Sequence, residues 1–203
     1  MVTVRVPATT ANLGPGFDTL GLALALYNTL TFEELAEGLY FEGVDPEYAT
    51  AENLAVVAYK AVLSKLGLPM PGLRISVQAE IPICRGLGSS AALIAAGAAG
   101  ANANHGSPLT RAELLAVCND IEGHPDNLAP AIFGGLVASF VENERPYIAR
   151  YSLHKRLRCT ALIPDFQLST HLARGVLPKE VPYGDAIFYV SRTAGAPGGP
   201  GGG

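Results

Sequence analysis

The chain has 203 residues, 49% of them hydrophobic and 16% charged, which excludes a disordered composition and leaves room for one sizeable core or two small ones sharing an interface. A net charge of -4 without a cluster of basic side chains argues against a nucleic-acid partner, because neutralising phosphates takes a concentrated basic face, and Lys155-Arg156-Leu157-Arg158 reads as a solvated turn. Cys84, Cys118 and Cys159 are odd in number and far apart, which speaks against a disulfide framework or a zinc site and for a reducing cytoplasm.

In chain order, the alternation Val2-Thr3-Val4-Arg5-Val6 predicts a strand, in place of the basic start and apolar core of an export signal. Pro7 to Gly16 reads as a loop, and Leu22, Leu24 and Leu26, alternating with alanines, as a buried strand. Asn53 can cap a helix to about Leu66, with Leu54, Val57, Ala58, Ala61 and Val62 on one face and Gly67 and Pro69 ending it. Leu73 to Ala79 alternates again as a strand, and Ile81 to Leu87 is a loop. Gly88 to Asn104 predicts a helix so rich in Ala and Gly that another backbone must approach it closely. Its weakly polar run, Ala91 to Ala103, is shorter than the ~20 apolar residues a membrane span takes, so neither a membrane nor export is expected.

Thr110 with Glu113 makes a capping box for a helix to about Glu122, broken by Gly123-His124-Pro125-Asp126-Asn127. Gly135 to Val141, Tyr147 to Leu153 and Arg158 to Ile163 are strand candidates, and Val190 to Ala194 the start of a helix. Interleaved elements with hairpin-like runs favour an α+β fold. From Gly195 on, a Gly/Pro tail is expected to be disordered.

In Gly86-Leu87-Gly88-Ser89-Ser90-Ala91-Ala92, glycines allow close backbone approach and serines add hydroxyls at a helix N-terminus, a recipe for an anion site. It is neither a Walker A loop nor the dinucleotide G-x-G-x-x-G, and alone it could equally be a tightly packed helix start. With its flank Ile81-Pro82-Ile83-Cys84-Arg85, the stretch resembles the signature of the GHMP small-molecule kinases; Cys84 stands where that family more often has a smaller residue. The resemblance implies ATP on Pro82, Ile83, Cys84, Arg85, Gly86, Leu87, Gly88, Ser89, Ser90, Ala91 and Ala92, with Mg²⁺ held by Ser89 or Ser90.

Two further stretches carry the likeness. Pro7-Ala8-Thr9-Thr10-Ala11-Asn12-Leu13-Gly14-Pro15-Gly16-Phe17-Asp18 is similar to the first motif of the homoserine kinases within that family. Read alone, Asn12 is a turn former and Asp18 a helix cap; the motif implies that Asn12 meets a substrate hydroxyl and Asp18 a substrate ammonium. Glu122 to Gly135 resembles the family's stretch in which His124, Asp126 and Asn127 meet substrate. There Glu122, with Asp120 as competitor, could complete a magnesium shell. His124 or Asp126 could serve as general base, although homoserine kinases are thought to lack a dedicated one. Thr170 to Pro178 resembles a further segment, in which Arg174 pairs with a substrate carboxylate.

The resemblance implies a GHMP kinase fold: a ribosomal-protein-S5-like ATP-binding domain at 1–155, the start of a ferredoxin-like domain at 156–194, and the tail at 195–203. It also implies transfer of the γ-phosphate of ATP to L-homoserine for threonine biosynthesis, in the cytoplasm, by a protein of a family that is often dimeric. Two alternatives stand beside it. One is another GHMP kinase, acting on mevalonate or a sugar. The other is an incomplete, weakly active or inactive remnant, because the second domain is expected to be cut short, leaving Arg158 to Ile163 without partner strands.

Overall fold

The computed structural model describes residues 1–11, 13–154, 156–163, 178 and 180–195. Among them run β1 (Val2–Thr10), β2 (Leu20–Leu35), β3 (Leu39–Glu42), α1 (Leu54–Lys65), β4 (Gly72–Ala79), α2 (Ser89–Asn104), α3 (Arg111–Glu122), α4 (Leu128–Phe133), β5 (Leu136–Glu142), β6 (Arg145–Tyr151) and α5 (Tyr183–Gly195). The long strand β2 organises the sheet. It pairs antiparallel with β1 along most of its length, with β4 from Asn28 to Leu35 and with β5 from Leu20 to Leu22. β3 adds to β4 in parallel and β6 closes a hairpin with β5.

One face of the sheet, built by Val6, Ala8, Leu30, Phe32, Leu73, Ile75 and Val137, is buried with residues of α1 to α4 in a single core. The other face carries Thr3, Thr31, Glu33 and Arg74, where the Arg74 guanidinium meets the Glu33 carboxylate at 2.6 Å and Thr3 bonds Thr31. Such inside/outside alternation is the period of two that a half-buried antiparallel sheet requires.

α2 packs on β1 and β2 and against α1. A Cβ added at Gly97 would fall 2.1 Å from the Ala55 carbonyl oxygen, so here the two helix backbones touch, as the Ala/Gly content predicts. α1 is capped by Asn53, whose side-chain oxygen accepts from the Ala55 N–H at 3.0 Å, and α3 by the expected Thr110/Glu113 box. No helix among the described residues is long and apolar enough to cross a membrane.

Several sequence expectations need correction. β1 runs on through Pro7 to Thr10 where a loop was expected; Pro7, which has no N–H to give, stands at the point where the ladder slips out of register. The buried face of α1 is Ala55, Val56, Ala58, Tyr59, Val62 and Leu63, rotated from the expected stripe because the Tyr59 ring packs on Phe32. The Tyr59 hydroxyl donates to Glu34 at 2.7 Å and accepts from Asn104 at 2.8 Å, and burial, with the Glu34 carboxylate beside it, holds its pKa well above the ordinary value. Residues 158–163 form no strand and are exposed, no described strand lying beside them. α5 begins at Tyr183, ahead of Val190. Residues 196–203 of the expected disordered tail lie outside the described residues.

Candidate active site

The segment from Glu80 to Gly88 joins β4 to α2 and is held at its start by Asn28. This β2 side chain is 2% exposed, and its oxygen accepts from the N–H groups of Glu80 and Ile81, both at 2.9 Å. The chain then turns through left-handed conformations at Cys84 (φ 56°), Gly86 (φ 69°) and Gly88 (φ 66°). Gly88 caps α2 with no side-chain hydrogen bond, and the helical ladder opens with Ala92 N–H to the Gly88 carbonyl at 2.9 Å. The N–H groups of Ser89, Ser90 and Ala91 therefore sit at the mouth of a long helix, where free donors and the dipole favour an anion. A Cβ on Gly88 would fall 2.0 Å from the Thr9 hydroxyl oxygen, so no other residue type fits this cap. Leu87, Ala91 and Ala92 turn their side chains into the core and can reach a ligand only through their backbone, whereas Ile83 and Cys84 are exposed.

Facing the helix mouth is the end of α3. The Ser90 hydroxyl donates to Glu122 Oε2 at 2.6 Å, which brings two hard oxygen ligands together; Asp120, the competing carboxylate, is exposed. Among the described residues no group of three or more His, Cys, Asp or Glu could hold a metal. A cation at Ser90 and Glu122 would thus need oxygens from its ligand, the habit of Mg²⁺ at phosphates.

α3 ends at Gly123 in the left-handed conformation, and the following turn is built around one carboxylate. Asp126, 2% exposed, accepts through Oδ1 from the Asn127 N–H at 2.8 Å and pairs at 2.7 Å with His124 Nδ1. The Asn127 side-chain oxygen accepts from the Thr9 hydroxyl at 2.9 Å, which ties this turn to β1. Asp18 (φ 59°) stands in the turn ahead of β2, next to the helical turn Gly14–Gly16 whose Pro15 carbonyl accepts from Thr193 of α5. Asn12 and Arg174 lie outside the described residues.

Residues 53–135, which hold the glycine-serine loop, Glu122 and the His124-to-Asn127 turn, match the GHMP kinases N terminal domain. A homoserine kinase of Clostridium botulinum (strain Loch Maree / Type A3) is 48% identical over 194 residues, 96% of this chain and 65% of the relative. The chain is thus similar to the GHMP kinases over residues 53–135 and to homoserine kinases over nearly all of its own length.

The crystal structure of homoserine kinase from Cytophaga hutchinsonii superposes with a TM-score of 0.80 at 25% identity, covering 97% of this chain and 67% of the other. The Methanococcus jannaschii mevalonate kinase, at 16% identity and a TM-score of 0.58 over 74% of the chain, shares the fold. The chain spans about 65% of the length of the curated relatives it matches. Within it the structure brings together Ser90 and Glu122, and His124, Asp126 and Asn127. Two participants had no assigned role in the sequence reading, Asn28 and Thr9. Thr9 falls within the Pro7-to-Asp18 motif, which gives it no role, and the only sequence signal of Asn28 is a polar residue in a strand, which alternation alone does not single out.

Proposed function

We propose that this chain carries the nucleotide and acceptor sites of a homoserine kinase, which transfers the γ-phosphate of ATP to the hydroxyl of L-homoserine and yields O-phospho-L-homoserine and ADP. The observation that carries the reading is the Ser90–Glu122 pair at 2.6 Å beside the uncapped N-terminus of α2, with the Asn127 amide on the adjoining turn. Residues 1–155 form the ATP-binding domain and 156–194 open the second one. ATP supplies the phosphoryl group, and a Mg²⁺ held by Ser90 and Glu122 would neutralise phosphate charge.

The chain's own groups bind and orient. The N–H groups of Ser89, Ser90 and Ala91, on the loop that Asn28 fixes, receive phosphate oxygens, while Ser90 and Glu122 would hold the cation. Asn12 and Asn127 meet the acceptor hydroxyl, Asp18 the ammonium, His124 the substrate and Arg174 the carboxylate. The Asp126 carboxylate holds His124 and the Asn127 N–H and so organises the turn. The hydroxyl oxygen forms the new P–O bond as the bond to ADP breaks, and positioning with charge stabilisation carries the step. A place in threonine biosynthesis and a cytoplasmic location go with this reading.

The test is ADP release with homoserine, mevalonate and galactose offered side by side, together with calorimetric titration of a non-hydrolysable ATP analogue with and without Mg²⁺. The expected result is analogue binding that depends on Mg²⁺ and turnover of homoserine alone. Analogue binding with turnover of mevalonate or galactose would replace the acceptor, and no binding at all would remove the kinase reading.

A further inference from the structure

We infer that Thr9 is a positioning residue that fixes which end of the Asn127 amide faces the acceptor and how far that amide stands from the phosphate-binding loop. The kinetic part of this inference rests on the proposed kinase reading; its structural part does not.

Thr9 is 0% exposed near the end of β1, where the β1–β2 ladder is irregular. Pairing is regular to Pro7 opposite Tyr27 and resumes at Thr9 opposite Ala23, so β2 advances four residues while β1 advances two. Such bulges re-aim side chains. Here the Thr9 N–H goes to the Leu87 carbonyl of the phosphate loop, at 3.1 Å. The Thr9 hydroxyl oxygen lies 2.0 Å from where a Gly88 Cβ would stand, and it donates to Asn127 Oδ1 at 2.9 Å. That same Cβ position is 3.2 Å from Asn127 Oδ1. A strand, the helix cap that faces phosphate and the turn that faces acceptor thus meet at one buried hydroxyl.

The chemistry follows from proton count. A hydroxyl has one proton to give, and giving it to Oδ1 makes that oxygen the inner end of the amide and Nδ2, with its two hydrogens, the outer end. An outer NH₂ offers donors to the lone pairs of an alcohol oxygen or to a phosphate oxygen. Without the hydroxyl the amide can flip, since its last torsion is broad and nearly two-fold, and would then present an acceptor.

The experiment compares Thr9→Val, which keeps shape and loses the proton, with Thr9→Ser, which keeps the proton. Expected for Thr9→Val is a turnover number down about 100-fold with the Michaelis constant for ATP within about threefold of the parent, and for Thr9→Ser both constants within about threefold. In parallel, the Asn127 side-chain NH₂ signals are followed by ¹⁵N NMR in the ligand-free chain, assigned by their loss in Asn127→Asp. They should move in Thr9→Val and hold in Thr9→Ser. Unmoved Asn127 signals in Thr9→Val, or Thr9→Ser falling as far as Thr9→Val, would overturn the inference. If the parent chain does not phosphorylate homoserine, the functional reading fails on that result while the amide spectrum still decides Thr9. Should Thr9→Val not fold, Thr9→Ala takes its place on the same readouts.

Discussion

Replacing Gly97 by alanine separates local from tertiary control of this fold. In a helix interior the change should stabilise by about 1 kcal/mol, from propensity alone. In this structure the new methyl would stand 2.1 Å from the Ala55 carbonyl oxygen, whereas ordinary contact begins at 3.4 Å. The obstacle is backbone and cannot rotate away, so α1 must move off α2 by more than 1 Å at that point, loosening the packing of Ala58, Tyr59 and Val62. Overpacking of this kind costs about 1–3 kcal/mol, and a contact this short belongs at the upper end. Net of propensity, Gly97→Ala should lose about 2 kcal/mol, a drop of roughly 4–8 °C in Tm for a chain of this size. Thermal melting by circular dichroism or calorimetry reads this directly. A variant as stable as the parent, or more so, would refute the close approach of the two helices.

Glu122→Gln should lower phosphotransfer about 100-fold and raise the Mg²⁺ concentration needed for half activity, whereas Asp120→Asn should stay near the parent; a magnesium titration of both variants distinguishes the carboxylates. Asn28→Ala leaves the Glu80 and Ile81 N–H groups without their acceptor and should destabilise by about 2 kcal/mol in a urea melt, with about tenfold weaker binding of an ATP analogue. Alkylation followed by peptide mass spectrometry should find Cys84 and Cys159 reactive and Cys118 silent near neutral pH, because burial pushes the Cys118 thiol up to about 12 and the thiolate is the nucleophile. A nucleotide on the loop should slow Cys84 alone; equal protection of Cys84 and Cys159 would count against the loop as the binding site.

Elements with strong local signals were readable from the residues. The Thr110/Glu113 box, the Asn53 cap and the Ala/Gly helix are decided within a few residues of chain, and each forms where expected. The misreadings share a cause in tertiary structure. Pro7 signals a break locally, yet the strand continues because the long partner β2 carries the ladder past it. α1 is apolar almost all round, so its periodicity has little contrast, and the face is chosen by Phe32, which only the fold brings to Tyr59. Arg158 to Ile163 alternates like a strand, but alternation is a property of one segment and a strand needs a second one beside it.

The same division runs through the candidate site. Motifs name the residues that would touch ligand, because the chemistry of a phosphate or an ammonium dictates residue type at fixed spacing. Nothing comparable marks Asn28, and the motif that contains Thr9 does not say what its hydroxyl is for. Burial explains their type after the fact: an unpaired N–H at Glu80 or Ile81 costs free energy, and only an acceptor of amide length on β2 meets both. Thr9 must be small enough for Gly88 to pass and polar enough to bond Asn127, two demands set by segments 79 and 118 residues away. A support of this kind becomes visible only when the strand, the loop and the turn are placed together, which is why the geometry adds to the site what the motifs alone could not.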